Sequence, residues 1–465
     1  SELPIQFKEI VQVSLRRPEL VFIANKIINS LAHALGVNPA AIGFATLTME
    51  SEKYICVRDA TTNDKTVTIV DLQNPSNVLK RPTAADAALM NPSQNILALK
   101  GELNELFYAV YVRFPDLLVQ MQAVANNDLT KKAKLNDCTT AEPIEFWKWI
   151  SDSKLALVSA TSVYHWSMNG GLLNSNCAIF SDNRADEAKP VKIFARHQNL
   201  AASQIISYRV DHTEQWCCLI GIAKQEERIV GYMQLYSIER KISQPIEGHA
   251  AAFSSFVVEG ASKPSTLFCF ASRNQQQAKV HKLAYIKRFN LNGPFYKAFY
   301  LELGTNPQES KFTKKQTDIY FPAEAGQDFP VAMQVSDRYG VAYMITKFGY
   351  IHIFDIGTGK LIYMNRISAE TIFVTAPQPS TGGIVGVNRK GQVLSVSVDE
   401  NNVIPYICNK LNDFDMAIKL AARADIPAQD LFAGHFNQLF VTGRFKEAAQ
   451  VAAASPQVIT NKLLF

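Results

Sequence analysis

Apolar and polar side chains alternate with a period of two through most of this chain, and the stretch 346–366 shows the pattern most plainly. There Tyr350, His352, Phe354 and Ile356 fall on one face, and Ile351, Ile353 and Asp355 on the other. Gly357-Thr358-Gly359 follows, and Leu361, Ile362 and Tyr363 lead back. Glycine tolerates the positive φ of a tight turn, so the pattern predicts a β-hairpin. Both faces are largely apolar, so both should be covered. A small sheet stacked between neighbouring sheets, as in a β-propeller, meets that requirement.

Strand-like runs recur at 54–58, 67–71, 96–100, 155–159, 163–167, 204–209, 216–223, 229–238, 266–271, 341–345, 371–375, 383–388 and 392–398. Turn signals such as Asn74-Pro75, Asn91-Pro92 and Lys390-Gly391 separate them. The segments 231–246 and 349–364 read as two copies of a loose repeat, and 163–168 with 191–194 as a third. Repeats of about 40–50 residues made of strands point to a propeller. Beyond about residue 402 the period becomes helical. Phe414, Ile418, Ala421 and Ala422 share a face that Asn412 or Asp413 can cap, since a short side-chain oxygen accepts first-turn N–H groups. Phe432, Phe436 and Phe440 follow at intervals of four, with Gly443 as the residue after the helix. Phe445, Ala448, Ala449 and Ala452 form a third helix that stops near Pro456. Short helices joined this way resemble the start of an α-solenoid, and the lack of a polar last helix reads as an N-terminal fragment. The expected division is 1–403 for the propeller and 404–465 for the helical part.

Composition narrows the picture. A chain of 465 residues that is 47% hydrophobic can bury a large core, and the 16 Tyr and 27 Phe suit strands. The net charge of +5 is too mild to argue for nucleic acid. Seven scattered cysteines, with no C-x-x-C, read as buried free thiols in a reducing compartment. Cys217 and Cys218 would face opposite sides of one strand. No apolar run reaches the ~18 residues of a membrane span, and no signal peptide is visible.

Several strings together resemble the clathrin heavy-chain family, at its N-terminal end. They are IGFATLTMES (42–51), DLQNPSNVLKRP (71–82), FWKWI (146–150), VYHWSM (163–168), QLYSIERKISQPIEGH (234–249), FPVAMQV (329–335), ITKFGYI (345–351), YMNRISAETIFVTAP (363–377) and NRKGQVLS (388–395). The resemblance extends into the helical tail, 414–454. It implies a mainly β chain, a seven-bladed β-propeller followed by a short α-helical zigzag, within a vesicle coat on the cytosolic face of coated pits and coated vesicles. It implies no enzyme activity, no cofactor and no direct membrane insertion. The implied partners are adaptor proteins carrying motifs of the type leucine-bulky-x-bulky-acidic. Clathrin light chain and trimerisation would involve a C-terminal leg beyond this chain. Four segments depart from the family pattern, near 11–35, 102–125, 171–184 and 284–300, and should bulge from the blades or be loosely held. Lineage insertion and translated intron both fit them.

The resemblance also places binding residues. A groove between the first two blades would use Leu79, Arg81, Leu97 and Leu99, with Gln122, Lys132 and Lys134. Leu97 and Leu99 share a strand face, the spacing a pocket wall needs. The family's aromatic residue near that glutamine has no clear counterpart at 124–127. A pocket on top of the propeller maps to Phe44, Gln204, Ile206 and Ile222, expected to come from separate repeats. A third groove maps to Arg240 and Gln244. From the residues alone, the lysines read as a solvated charged turn, the isoleucines as ordinary blade core, and Arg240 and Gln244 as a solvated turn.

Other readings are weaker. The eight histidines form no metal pattern, and no H-E-x-x-H, P-loop or G-x-S-x-G string occurs. An enzyme with a central-channel site would need several acids or histidines on the innermost strands, and no such set stands out. A different propeller–solenoid coat or tether is the remaining alternative. Trp147-Lys148-Trp149 reads as blade-to-blade packing, and Asp337, Asp355 and Asp399 as turn formers.

Overall fold

The computed structural model describes residues 5–10, 22–25, 37–61, 64–75, 78–101, 106–111, 134–168, 189–226, 228–273, 296–304 and 312–454. Six four-stranded antiparallel sheets follow one another within 47–82, 87–139, 144–195, 204–247, 250–319 and 330–366. In each, the strands pair in chain order. The seventh sheet takes three strands from 372–398 and two from the start of the chain. Ile5–Ile10 lies antiparallel to Val393–Val398, with Ile5 opposite Val398 and Glu9 opposite Leu394. Phe22–Asn25 then pairs parallel to Ile5–Ile10. The expected propeller fold with a helical start is present, but not all of its sheets follow one plan. Six sheets repeat the four-strand plan, and the last is a composite, because closing a ring of sheets takes strands from both ends.

The first strands of successive sheets lie against each other, Ala250–Phe256 on Pro330–Ser336 and Pro330–Ser336 on Ile372–Gln378, as in a ring around an axis. The ring closes where Leu47, Met49, Ile55 and Val57 of the first sheet pack on Ala376, Val385, Val387 and Val393 of the last. The hairpin that defined the pattern is present. Tyr350–Asp355 is buried along its whole length and pairs with Leu361–Arg366, and Gly359 takes φ +73° in the turn. Cys217 and Cys218 do enter different clusters on opposite faces, and burial holds the Cys217 thiol up at about 12. Cys177 lies outside the described residues.

The four departing segments are only partly described, and the described parts of three of them pair as strands. Leu106–Tyr111 is an inner strand of the second sheet, pairing with Ile96–Lys100 and Lys134–Thr139. Tyr296–Glu302 is an inner strand of the fifth, with Phe270 opposite Phe299. Phe22–Asn25 extends the closing sheet. In YKAFYLE the alternation is the reason: Tyr296, Ala298 and Tyr300 are buried and the residues between them half-buried, the pattern of a packed strand and not a loop. Residues 171–184 lie outside the described residues.

The tail forms four helices, α1 (Val403–Asn409), α2 (Phe414–Ala424), α3 (Gln429–Val441) and α4 (Phe445–Ala454). Asp413 caps α2 by accepting from Met416 N at 3.1 Å. Gly443 takes φ +76° after α3. Phe432 and Phe436 are buried, whereas Phe440 is 53% exposed, so the four-residue spacing tracks only part of the buried face.

A socket fixes α2 to the propeller. Arg423 reaches the hairpin turn and ion-pairs with fully buried Asp355. The other Asp355 oxygen accepts from Thr358 N and Oγ1, both at 2.7 Å. The guanidinium lies over the Phe256 ring, 5.3 Å from its centroid. A Cβ at Gly340 would come within 2.9 Å of Arg423 Nε, and one at Gly357 within 2.6 Å of Nη1. Two missing side chains thus make the space the arginine fills. Asp355 is a turn former, as the sequence indicated, and also the anchor of the helical tail.

Candidate peptide-binding site

The seam between the first and second sheets gathers most of the first group of candidates. Leu79 pairs with Ile69 in the first sheet. Leu97 and Leu99 pair with Met90 and Ala88 in the second. All three leucines join one cluster with Tyr54, Cys56, Val67 and Ile69. They are 2%, 0% and 0% exposed, so they form the floor of the seam and not an open wall. Polar ties close its flank: Arg58 Nε donates to Ala85 O at 2.8 Å and its guanidinium sits 3.5 Å from Asp86. Arg81 lies on Val78–Pro82, the outer strand of the first sheet, half-buried, with Nη1 donating to Lys80 O at 2.9 Å. Lys134 begins Lys134–Thr139, the outer strand of the second sheet. The two basic positions thus lie on the outer strands of the first and second sheets. Gln122 and Lys132 lie outside the described residues.

The top-pocket group comes out differently from the expectation of separate repeats. Gln204 and Ile222 face each other directly across Gln204–Val210 and Trp216–Gln225. Ile206 sits at the register shift of the same pair. Three of the four thus belong to the fourth sheet, because a hairpin brings residues distant in sequence side by side. Phe44 stands in the loop before Leu47–Thr48 of the first sheet, 47% exposed. The described contacts do not join it to the trio.

Arg240 and Gln244 mark the seam between the fourth and fifth sheets. Arg240, in the turn before Ile242–Glu247, donates from Nη2 to Gly304 O at 3.1 Å, just past Tyr296–Glu302. Gln244 is exposed on Ile242–Glu247, opposite Leu235. Inside this seam runs a row of half-buried apolar side chains: Trp216, Ile246, Phe253, Phe299, Leu301 and Leu303. The rings form a continuous run: Phe253 tilts against Phe268 at 5.2 Å, Phe268 stacks on Phe270 at 5.1 Å and Phe270 on Phe299 at 5.0 Å between centroids. Lys314 Nζ lies 5.1 Å from the Phe299 centroid, and Ile242 is 61% exposed at the edge. The sequence reading missed Phe253, Phe299 and Lys314. The available signal was the alternation in 296–302, hidden because that stretch straddles a segment departing from the family pattern. This seam offers apolar contacts with a cation at the rim, the chemistry that holds an extended peptide with an acidic end.

The histidines are structural. His165 Nε2 is 2.9 Å from Tyr208 Oη, and His352 Nε2 is 3.0 Å from Tyr320 O. Burial lowers His165, His249 and His352 to about 4, so all three are neutral near pH 7. No group of three potential metal ligands occurs among the described residues, and no described helix is long and apolar enough to cross a membrane.

Known proteins match the same architecture. A profile for the clathrin propeller repeat fits residues 328–357 and 365–399, and one for the clathrin heavy-chain linker fits 400–423. The clathrin heavy chain of Dictyostelium discoideum is 44% identical over 467 aligned residues, 100% of this chain. The chain belongs to the clathrin heavy-chain family. Clathrin heavy chain 2 of Homo sapiens is 44% identical over 91% of this chain, and the Drosophila melanogaster clathrin heavy chain 42% identical over 98%. Each alignment covers 23% of the relative, so the chain spans about a quarter of the length of these clathrin heavy chains.

Proposed function

We propose that this chain is the adaptor-facing end of a clathrin-type vesicle coat, a structural component without catalysis, working on the cytosolic face of coated membranes. The observation that carries the reading is the half-open apolar row between the fourth and fifth sheets, rimmed by Arg240 and Lys314, in a clathrin-family propeller. An adaptor tail would lie along the seam, its bulky residues on Phe253, Phe299 and Leu301 and its acidic end toward the cations. The seam of Leu79, Leu97 and Leu99 would serve the same class of peptide only at its rim, with Arg81, Lys132 and Lys134 meeting the acidic end. The fourth-sheet trio of Gln204, Ile206 and Ile222, with Phe44, would take a tryptophan-containing motif at the top. The reading of seven blades counts the composite sheet with the six four-stranded ones, and the proposed division at 403/404 is supported by its nearness to the end of the last strand at Val398 and the start of the first tail helix at Val403. Light-chain binding and trimerisation belong to a leg outside this chain.

Each such contact is weak alone, and many motifs meeting many propellers give the coat its hold. A calorimetric titration with a leucine-bulky-x-bulky-acidic peptide tests this. The double variant Arg240→Glu/Lys314→Glu should bind at least about tenfold more weakly if the fourth–fifth seam is used. Lys132→Glu/Lys134→Glu should do the same if the first–second rim is used. Affinity unchanged in both variants would remove the assignment.

A further inference from the structure

The peptide seams all lie between sheets; a separate cluster of charge sits on the innermost strands. Glu50, just past Leu47–Thr48 of the first sheet, accepts from Trp149 N at 3.2 Å and pairs with Lys148 Nζ at 3.2 Å. Trp149 and Lys148 belong to Ile144–Ser151, the first strand of the third sheet. Arg209 lies on Gln204–Val210, the first strand of the fourth sheet, and donates from Nη2 to Met333 O of the sixth at 3.3 Å. These bonds join sheets that are not neighbours, first to third and fourth to sixth. Side chains can span such pairs only near the axis, where the ring is narrowest.

Charge in this place does not balance. Lys148 and Arg209 bring two positive charges and Glu50 one negative, and both Glu50 contacts above use the same oxygen, Oε2. Arg209 Nε is buried and has no acceptor among the described residues. Burial pulls the guanidinium below its usual range, and Glu50 is the carboxylate acting against that pull. A buried charged donor without an acceptor is destabilising by more than a neutral one. The Lys148 side chain keeps 21% of its surface exposed, and Arg209 as a whole is half-buried.

We propose that the axial channel binds one small oxyanion of the phosphate class, held by Arg209 and Lys148. One oxygen accepts from Arg209 Nε, and the Lys148 ammonium supplies the second cation. Glu50 competes with the anion for both. The site lies away from the seams, so it stands whether or not they hold peptides.

Inorganic phosphate added to the chain, against chloride at equal ionic strength, is the probe. Thermal unfolding and calorimetric titration should both show saturable binding of phosphate over chloride. Arg209→Gln should lose it. Glu50→Gln, which removes the competing carboxylate, should bind phosphate about tenfold more tightly. If Arg209→Gln fails to fold, Lys148→Gln weakening and Glu50→Gln tightening decide the matter together. No preference for phosphate overturns the proposal. So does an equal response from wild type and Arg209→Gln, which would mean an adventitious ion only, and so does unchanged affinity in Glu50→Gln.

Discussion

Two seams of this propeller are both apolar, yet one is sealed and the other is not. Between the first and second sheets, Leu79, Leu97 and Leu99 are wholly covered, and Arg58 ties the flank to Ala85 and Asp86. Between the fourth and fifth, Trp216, Phe253, Phe299 and Leu301 stay half-open above a stacked aromatic layer. Apolar composition alone does not make a groove. What differs is size: leucines and small residues interdigitate and seal, whereas a row of rings leaves edges that the neighbouring sheet does not cover. A side chain in the sealed seam should therefore report on stability, and one in the open seam on binding.

Acid should give the largest separation between the two. Fully buried His249 and His352 belong to the fifth and sixth sheets, and burial holds each at about 4 against an ordinary 6.5. Between those values the unfolded chain binds protons that the folded chain refuses. Stability is thus fully present above about pH 6.5 and falls as pH drops toward 4, by on the order of 2 kcal/mol per histidine from pH 7 to 5. The described parts of the first two sheets contain no histidine. Hydrogen exchange at pH 5 should open the fifth and sixth sheets before the first seam; uniform opening would break the contrast.

Truncating the sealed floor comes next. Leu99→Ala should lower unfolding free energy by about 3 kcal/mol, because a fully packed site cannot collapse around the cavity. Denaturant titration measures it, and peptide affinity of the folded fraction should not change. In the open seam, Phe299→Ala should lose only about 1–2 kcal/mol of stability. Peptide affinity should fall about tenfold, as for a central aromatic anchor. If Phe299→Ala behaved like Leu99→Ala, the open row would be ordinary core. The smallest effect belongs to Arg240→Ala. Its bond to Gly304 O is solvent-exposed, so stability should move by less than about 0.5 kcal/mol. Affinity for an acidic peptide should fall about threefold, and less at high salt.

How far the chain could be read before its structure depended on the range of each interaction. The hairpin of 350–366, the Asp413 cap and the opposite faces of Cys217 and Cys218 rest on neighbours in sequence, and alternation or spacing reveals them. The partner of Asp355 did not show, because Arg423 is distant in sequence and its place depends on two glycines leaving room. The sealing of Leu97 and Leu99 was equally hidden. Their shared face was legible, but whether the facing sheet covers that face is decided by the sizes of side chains on another blade. Leu106–Tyr111 pairs as a strand although it lies in a segment that departs from the family pattern, and its own alternation is the feature that marks it.

Closure by Ile5–Ile10 carries a consequence for how the domain is made. Its antiparallel partner, Val393–Val398, is among the last strands of the ring to leave a ribosome. The edge of Ile5–Ile10 that meets Val393–Val398 must wait, bonded only to water, until nearly the whole ring has been synthesised, and only then can the circle lock. The helical tail begins a few residues later at Val403, so sealing the ring and starting the leg become nearly simultaneous events in the life of the nascent chain.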